Sequence, residues 1–238
     1  MLAEDLKIIY QDLSRAVDDL RFSEPTTHVY NPLNYARHPV EQYLDKAGMN
    51  TKEVLFLGMN PGPWGMAQTG VPFGTVSLVR DWLGIEGPVG APPDEHPKRP
   101  VLGFNTAREE ISGSRFWGWA RDRFSTPTRF FERFFVANYC PLVFMEQSGR
   151  NRTPDKLPAT EKRELFQLCD QALLRVVHVL EPDWVIGIGK FAEYRAIATL
   201  SDVNVRIGRI LHPSPASPIA NRGWAQQADN QLMDLGVQ

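Results

Sequence analysis

The sequence contains few cysteines and no grouping of residues typical of a metal site. Only two cysteines occur among 238 residues, Cys140 and Cys169, and they form no CxxC pair. Two thiols alone cannot hold a structural zinc ion or a four-iron cluster, because both normally require four protein ligands. We therefore expect no metal and no cofactor, and we interpret both cysteines as buried free thiols.

Long apolar runs and a secretory leader are also missing. No apolar run approaches the roughly 20 residues that a membrane-spanning helix needs. The first residues, MLAEDLKIIYQDLS, are acidic and amphipathic, unlike a signal peptide. We expect a protein that acts inside the cell and has no membrane partner. Its location would be the cytoplasm, in association with the nucleoid, in a bacterium and the nucleus in a eukaryote.

Charge of one sign is not in excess either, since the formal net charge is -2 at pH 7. One segment is locally distinctive, because residues 115–133 interleave arginines with aromatic residues: Arg115, Arg121, Arg123, Arg129 and Arg133 with Phe116, Trp117, Trp119, Phe124, Phe130 and Phe131. This mixture suits a strand-binding surface, where cations meet phosphates and rings stack on bases. It also suits an amphipathic helix with its rings in the core. We favour the core for the rings and leave both interpretations open for the arginines.

Short apolar segments alternate with helical patterns along the chain. Buried parallel strands are predicted at 54–58, 134–139, 184–189 and 205–213. Apolar spacing predicts helices over 2–21 (an N-terminal helix within residues 1–24), 75–83, 115–125, 127–132, 157–180 with Thr160 a candidate N-cap, 190–200 and 219–235. Residues 22–40 are expected to be irregular. This alternation predicts one α/β domain over residues 1–238, with a parallel sheet covered by helices on both faces.

Three segments that follow predicted strands carry side chains suited to chemistry. Parallel sheets bind ligands at the carboxyl ends of their strands. In GMNPGPWGMAQTGVPFG, 58–74, Asn60 follows the first strand and Phe73 lies in a stiff loop. Asn60 can hold a water through its side-chain oxygen, or it can be a turn residue before proline. Phe73 can stack on a planar ligand, or it can fill the core.

The other two segments are NYCPL, 138–142, and HPSPASP, 212–218. Asn138 can read one edge of a base, because its amide both donates and accepts hydrogen bonds. His212 can donate to developing negative charge or act in acid–base catalysis. Taken alone, each residue is more often structural. A P-loop and a dinucleotide fingerprint are not supported, because the first segment contains no lysine and GIGK lacks the third glycine.

Together, the three segments resemble a known family. GMNPGPWGMAQTGVPFG, followed by NYCPL and HPSPASP, closely resembles the single-strand-selective monofunctional uracil-DNA glycosylases, and a less strict similarity runs from about Tyr30 to Trp224. The resemblance implies a three-layer α/β fold with a four-stranded parallel central sheet flanked by helices. It implies hydrolytic removal of uracil from single- and double-stranded DNA, the first step of base excision repair, without a metal. Uracils oxidised at C5, such as 5-hydroxymethyluracil, are further implied substrates.

The family pattern also implies roles for individual side chains. Asn60 would position the attacking water, and His212 would stabilise the departing base near its O2. Phe73 would stack on the flipped base, and Asn138 would hydrogen-bond its N3 and O4 edge. These roles share one feature, since none of them requires a strong base.

The backbone of Met59 and of the Gly62–Met66 stretch would line the side of the base that carries C5. The loop after the histidine would contact DNA through Pro213, Ser214, Pro215, Ala216 and Ser217.

Two positions depart from the family pattern. Trp64 stands where vertebrate members have phenylalanine, and Ala216 stands where they have an arginine that helps to fill the gap left by the flipped base. The second departure affects how this chain holds duplex DNA or an abasic product.

Two alternatives to uracil removal remain at this stage. One is the same machinery with specificity for deaminated purines, and the other is a non-catalytic nucleic-acid binder, against which the Asn60–His212 pair argues. We expect a monofunctional enzyme, because a lyase step needs an amine nucleophile and none of the three segments contains a lysine. We also expect it to act on DNA as a monomer.

Overall fold

The computed structural model describes residues 2–237 and contains two separate sheets. The strands are β1 (His28–Tyr30), β2 (Val54–Gly58), β3 (Phe134–Asn138), β4 (Val143–Met145), β5 (Asn151–Arg152), β6 (Trp184–Ile188) and β7 (Arg206–Ile210). Four of them form a parallel sheet in the order β3–β2–β6–β7, and the other three form an antiparallel sheet in the order β1–β4–β5. The predicted four-stranded parallel sheet is confirmed.

Helices surround this parallel sheet. They are α1 (Leu2–Asp18), α2 (Pro32–Tyr35), α3 (Arg37–Ala47), α4 (Met66–Thr69), α5 (Val76–Asp81), α6 (Ile111–Phe124), α7 (Pro127–Phe131), α8 (Ala159–Leu180), α9 (Lys190–Thr199) and α10 (Trp224–Asp234). Short 3-10 turns occupy Gly103–Asn105, Pro154–Lys156 and Ala220–Arg222. Within residues 2–237, no helix is both long enough and apolar enough to cross a membrane.

Strand β2 lies at the centre of the core, and all five of its residues are buried. It pairs with β3 on one side and β6 on the other, so its backbone hydrogen bonds are satisfied within the sheet. Alternate side chains point to opposite faces. The Phe56 ring packs 5.7 Å from the Phe116 ring of α6, whereas Leu57 lines a small apolar cavity with Ile9 of α1 and Leu173 of α8. Both faces of the sheet are therefore covered.

The aromatic residues of segment 115–133 belong to the core. Phe124 packs against the other five rings, which are all buried: Phe116, Trp117, Trp119, Phe130 and Phe131. Arg121 pairs with Asp122 at 2.9 Å and Arg123 with Asp229 at 2.5 Å on the outer surface of α6. The core interpretation is confirmed for the rings, which are not available to stack on DNA. Both cysteines are buried and free, as predicted.

The prediction of irregular structure over residues 22–40 is wrong in part. This segment contains β1, α2 and the beginning of α3. Pro32 lies in the first turn of α2, where a missing N–H costs nothing, and the Asn31 side chain caps that helix by accepting from Leu33 N at 3.2 Å. Two of the three prolines of this segment, Pro32 and Pro39, thus lie in the first turns of helices, and Pro25 lies in a turn. The small antiparallel sheet was also missed, because its strands span only two or three residues.

Several predicted boundaries also change. Helix α6 begins four residues before the predicted 115, at Ile111. Thr160 is not an N-cap, because α8 is preceded by Pro158 and begins at Ala159. The predicted helix over 219–235 divides into a 3-10 turn and α10, since Gly223 between them has a φ of 97°. A left-handed residue of this kind interrupts a right-handed helix.

Tyr43 of α3 completes the hydrogen bonding of the edge strand β3. Its hydroxyl donates to Val136 O at 2.7 Å and accepts from Val136 N at 3.1 Å. In a parallel strand both backbone groups of one residue face the same side, and those of Val136 face away from β2. Burial raises the pKa of Tyr43 well above its ordinary value, so the hydroxyl keeps its proton and can donate.

We expect Tyr43→Phe to lower the free energy of unfolding by about 2–3 kcal/mol, because two buried backbone groups lose their partner. Urea denaturation followed by circular dichroism measures the change. Tyr194→Phe is the matched control, since Tyr194 is 66% exposed and should give no measurable change. A Tyr43→Phe protein as stable as the parent would show that these backbone groups do not depend on the hydroxyl.

Candidate active site

A cavity of about 450 Å³ opens at the carboxyl end of the parallel sheet. Its size lies within the range of about 300–1,000 Å³ typical of small-ligand sites. Eight of the residues predicted from the motifs line it: Met59, Asn60, Gly62, Met66, Phe73, Asn138, His212 and Ser214. Four others lie in the adjoining loop and do not line the cavity: Pro213, Pro215, Ala216 and Ser217. The three motif segments therefore meet at one site.

The Asn60 side chain is held in one orientation. Its Nδ2 donates to Leu142 O at 3.1 Å and to Pro61 O at 3.3 Å. Both acceptors are backbone carbonyls, which can only accept, so the amide cannot rotate by half a turn without losing both bonds. This arrangement leaves Oδ1 as the free acceptor of Asn60. Such an oxygen can hold and orient a water molecule.

Asn138 and Phe73 approach each other over a glycine. Gly58 ends β2 in register with Asn138 at the end of β3. A Cβ on Gly58 would overlap Asn138 Oδ1 and would stand 2.7 Å from Phe73 Cε2. The amide of Asn138 is turned so that Nδ2 donates to Met66 Sδ at 3.3 Å. A planar ligand can therefore meet a ring and an oriented amide together.

The Phe73 ring has a fixed position in a tight loop. Its backbone has a φ of 55°, which is uncommon for a residue with a side chain. The ring stacks on Phe116 with 5.3 Å between centroids and 24° between planes. The preceding residue is also held, since Trp117 Nε1 donates to Pro72 O at 3.0 Å. The core thus holds the loop while Phe73 itself lines the cavity.

His212 is neutral and has a defined tautomer. Burial lowers its pKa to about 4, so the imidazolium is not populated near neutral pH. Ser214 N donates to Nδ1 at 3.1 Å. A backbone amide can only donate, so Nδ1 is the unprotonated nitrogen and Nε2 carries the proton. The ring, 6.1 Å from that of Phe73, offers one N–H as a neutral donor.

The loop 213–217 changes from buried to exposed along its length. Pro213 is buried, whereas Pro215 and Ala216 are exposed. A turn closes the loop, with Ser217 N donating to Ser214 O at 3.0 Å. The side chain of position 216 therefore stands in solvent beside the cavity, and no ring or cation is supplied there.

Trp64 is the other position that departs from the family pattern. The guanidinium carbon of Arg108 lies 4.5 Å from the centroid of its ring.

Two ionisable residues of the cavity were not predicted as parts of the base-binding site. Glu110, at the beginning of α6, lies against Gly62, where an added Cβ would stand 2.6 Å from Oε2. Burial raises the pKa of this carboxyl, and hydrogen bonds from Ser112 oppose the rise. Lys190, in the first turn of α9, also lines the cavity. Glu110 carried no local signal, because only folding brings it to the first motif. Lys190, in GIGK, is by sequence pattern the nearest amine candidate outside the three motif segments, and the structure places it in the lining of the cavity that those segments form.

No group of three or more His, Cys, Asp or Glu side chains within residues 2–237 is arranged to hold a metal ion.

Comparison with known proteins agrees with this geometry. The model of the uracil DNA glycosylase superfamily matches residues 46–233. The chain belongs to this superfamily. Proteins from Mus musculus and Bos taurus, each named single-strand selective monofunctional uracil DNA glycosylase, are 50% identical to it over 227 and 232 residues. These alignments cover 94% and 95% of this chain and 81% and 85% of the relatives. The resemblance inferred from the motifs is confirmed.

The fold has also been seen in a solved structure. The crystal structure of wild-type Pedobacter heparinus SMUG2 matches with a TM-score of 0.68, over 96% of this chain and 97% of that chain. The two sequences are 17% identical, so this similarity concerns the fold alone. It supports the three-layer α/β architecture of a uracil-DNA glycosylase.

Substitution of Gly58 tests whether the close approach of Asn138 and Phe73 is needed for base release. We expect Gly58→Ala to reduce the rate of base release about a hundredfold, because the new methyl group displaces Asn138 and Phe73 from their positions. Single-turnover cleavage of a uracil-containing oligonucleotide measures the rate. Gly118→Ala is the matched control, since a Cβ there meets nothing within 4 Å, and it should retain full activity. Full activity in Gly58→Ala would disprove the close approach.

Proposed function

We propose that this superfamily member is a monofunctional DNA glycosylase that hydrolyses the bond between uracil and deoxyribose. One observation carries the proposal. The neutral His212 with its proton on Nε2 lines the same cavity as the oriented amides of Asn60 and Asn138 and the Phe73 ring. A donor, a water-binding oxygen, a base-edge reader and a stacking surface are the groups that removal of a flipped base requires.

The reaction begins with cleavage of the bond between C1′ of the sugar and N1 of uracil. The bonding electrons leave with the base, so the sugar becomes an oxocarbenium ion and negative charge develops on uracil, largely at O2. His212 Nε2–H donates to O2, and this fixed dipole stabilises the charge as it forms. A water held by Asn60 Oδ1 then adds to C1′ through its oxygen, and the proton that it loses passes through solvent to the uracil anion, so the products are neutral uracil and an abasic sugar. The sugar is already cationic, so the water needs orientation more than deprotonation.

Asn138 explains how uracil is distinguished from cytosine. Uracil offers a donor at N3 and an acceptor at O4, whereas cytosine offers an acceptor at N3 and a donor at N4. The Asn138 amide complements uracil when Nδ2 faces O4 and Oδ1 faces N3–H. Met66 Sδ accepts one N–H of this amide, which favours that orientation and leaves the second N–H for the base.

The side of the base that carries C5 meets backbone in this assignment. Met59, Gly62 and Met66 line this part of the cavity, and Gly62 places no side chain there. A small polar substituent at C5 is proposed to lie between this backbone and the carboxyl group of Glu110, and 5-hydroxymethyluracil is included among the proposed substrates. The nearby carboxyl group of Glu110 adds a polar partner to this wall.

The loop 213–217 is proposed to contact DNA beside the flipped nucleotide, in single and double strands. Its exposed tip bears Ala216, so it provides a backbone surface and small side chains. A duplex would be held less firmly than by a loop with an arginine at this position. We propose that the enzyme acts as a monomer.

A base-release panel tests the proposed function. Oligonucleotides containing uracil, 5-hydroxymethyluracil, hypoxanthine, xanthine or cytosine are incubated with the enzyme in single-stranded and duplex form, with chelator present. We expect release of uracil and of 5-hydroxymethyluracil, no release of cytosine, and no covalent adduct after borohydride treatment. Release of purines alone would replace the proposed specificity, and binding without any release would support a non-catalytic protein.

We expect Asn60→Ala and His212→Ala each to lower the single-turnover rate about a hundredfold, because each removes a group that acts on the transition state. The Kd for the same oligonucleotide should change much less. Quench-flow measurement of base release, with circular dichroism as a control for folding, separates the two effects. A wild-type rate in either variant would remove that residue from the mechanism.

We expect Asn138→Asp to abolish most cleavage of uracil, because an ionised carboxylate repels O4 and has no donor for it. Cytosine release should remain weak and should be strongest at low pH. The new carboxylate can accept from cytosine N4, but a hydrogen bond to N3 needs an added proton, either on the carboxyl group or on N3. Rates on the two bases from pH 5 to pH 8 provide the test. Uracil cleavage within threefold of the parent would show that Asn138 does not read the base edge.

A further inference from the structure

Arg115 of α6 lies against the loop that follows His212. Its Nη1 donates to Pro213 O at 3.1 Å and to Ser214 O at 3.4 Å, and its Nη2 donates to Asn221 Oδ1 at 2.7 Å. The mechanism proposed above makes no use of this residue. No carboxylate among the described residues forms an ion pair with Arg115, so its positive charge is directed at backbone and amide oxygens.

One peptide group stands between this guanidinium and the imidazole. Pro213 O and Ser214 N belong to the same peptide unit, and they point in opposite directions across it. Arg115 donates to the oxygen, and the N–H donates to His212 Nδ1 at 3.1 Å. The loop is closed on its other side by Asn221, whose Nδ2 donates to Pro215 O at 3.0 Å. The peptide plane is therefore fixed from both ends.

We propose that Arg115 is a positioning residue that acts through the Pro213–Ser214 peptide to hold His212 in the tautomer with its proton on Nε2. This inference rests on the proposed role of His212 as the donor to the departing base. The guanidinium polarises the peptide carbonyl and strengthens the N–H as a donor, as in any chain of hydrogen bonds. Nδ1 is thereby kept unprotonated, and Nε2–H remains available to the base.

The charged groups around His212 act in different directions. Burial is the cause of the low pKa of His212. By the sign of their charges, Arg115 behind the loop and Lys190 of α9 oppose a positive imidazolium, whereas Glu110 at the beginning of α6 favours it. Loss of Arg115 would remove one repulsive charge and would weaken the hydrogen bond to Nδ1. Both changes favour the protonated imidazole, so the pKa of His212 should rise. The fraction of active, neutral His212 in weakly acidic solution should fall.

The test compares Arg115→Met, Arg115→Lys and the control Arg121→Met in the full chain. Arg121 lies on the same helix and pairs with the adjacent Asp122, away from the loop. Three quantities are measured: the single-turnover rate on uracil DNA from pH 4.5 to pH 8, the Kd for that DNA, and the ¹⁵N shifts of the histidine rings. The His212 signals are assigned by comparison with His212→Ala.

For Arg115→Met, we expect the rate at neutral pH to fall about tenfold or more, because the donor is no longer held in its productive tautomer and position. The Kd should stay within threefold of the parent. The ¹⁵N spectrum should change from a single Nε2–H tautomer to a mixture, and the acid limb of the rate should move to higher pH. Arg115→Lys should restore part of both properties, since an ammonium group can reach one carbonyl. Arg121→Met should match the parent.

Two outcomes overturn the proposal: a lower rate with unchanged ring-nitrogen shifts, or a weaker Kd with an unchanged rate, which would make Arg115 a phosphate contact. If Arg115→Met does not fold, Arg115→Lys decides, because its rate and its tautomer fraction must fall together. A failure of the proposed function is recognised separately. In that case the parent protein would release no uracil; if only the role of His212 is wrong, His212→Ala would cleave at the parent rate, whatever the Arg115 variants do.

Discussion

The site depends on a close approach at the end of the central strand. Gly58 has no side chain, so the amide of Asn138 and the ring of Phe73 come together over its Cα. The parallel register between β2 and β3 brings Asn138 to that level, and the stack on Phe116 brings Phe73. Any larger residue at this point would separate the two groups. The relative position of Asn138 and Phe73 is thus set by the packing of the sheet and not by the loops alone.

The hydrogen bonds that satisfy buried polar groups also define the chemistry. Leu142 O and Pro61 O fix the Asn60 amide, and Ser214 N fixes the tautomer of His212. In both cases the partner is a backbone group, whose role as donor or acceptor cannot change. In the proposed mechanism, the site therefore needs no charged catalytic base. It is preorganised, so little rearrangement is required when charge develops on the base.

Much of the fold and of the site followed from local sequence. The apolar runs 54–58 and 134–139 predicted β2 and β3 because a strand buried on both faces has to be apolar throughout. Asn60, Phe73 and His212 lie in loops after such strands and Asn138 ends one, and the resemblance of the three segments to the family singled them out as site residues. The helices within residues 22–47 were missed because proline signals both loops and helix beginnings. Glu110 and Arg115 were not recognised as parts of the site because their partners are distant in sequence, and no local pattern encodes such contacts.

The left-handed backbone of Phe73 has a consequence for the stability of the protein. A side-chain-bearing residue held at a φ of 55° costs about 1–3 kcal/mol relative to a relaxed conformation. Glycine at this position would remove that cost, but it would also remove the contact of the ring with Phe116, whose centroid lies 5.3 Å away. Truncation of a packed phenylalanine typically costs about 3–5 kcal/mol, so the packing of the ring outweighs the strain of its backbone. The core therefore stabilises a loop conformation that the loop alone would avoid.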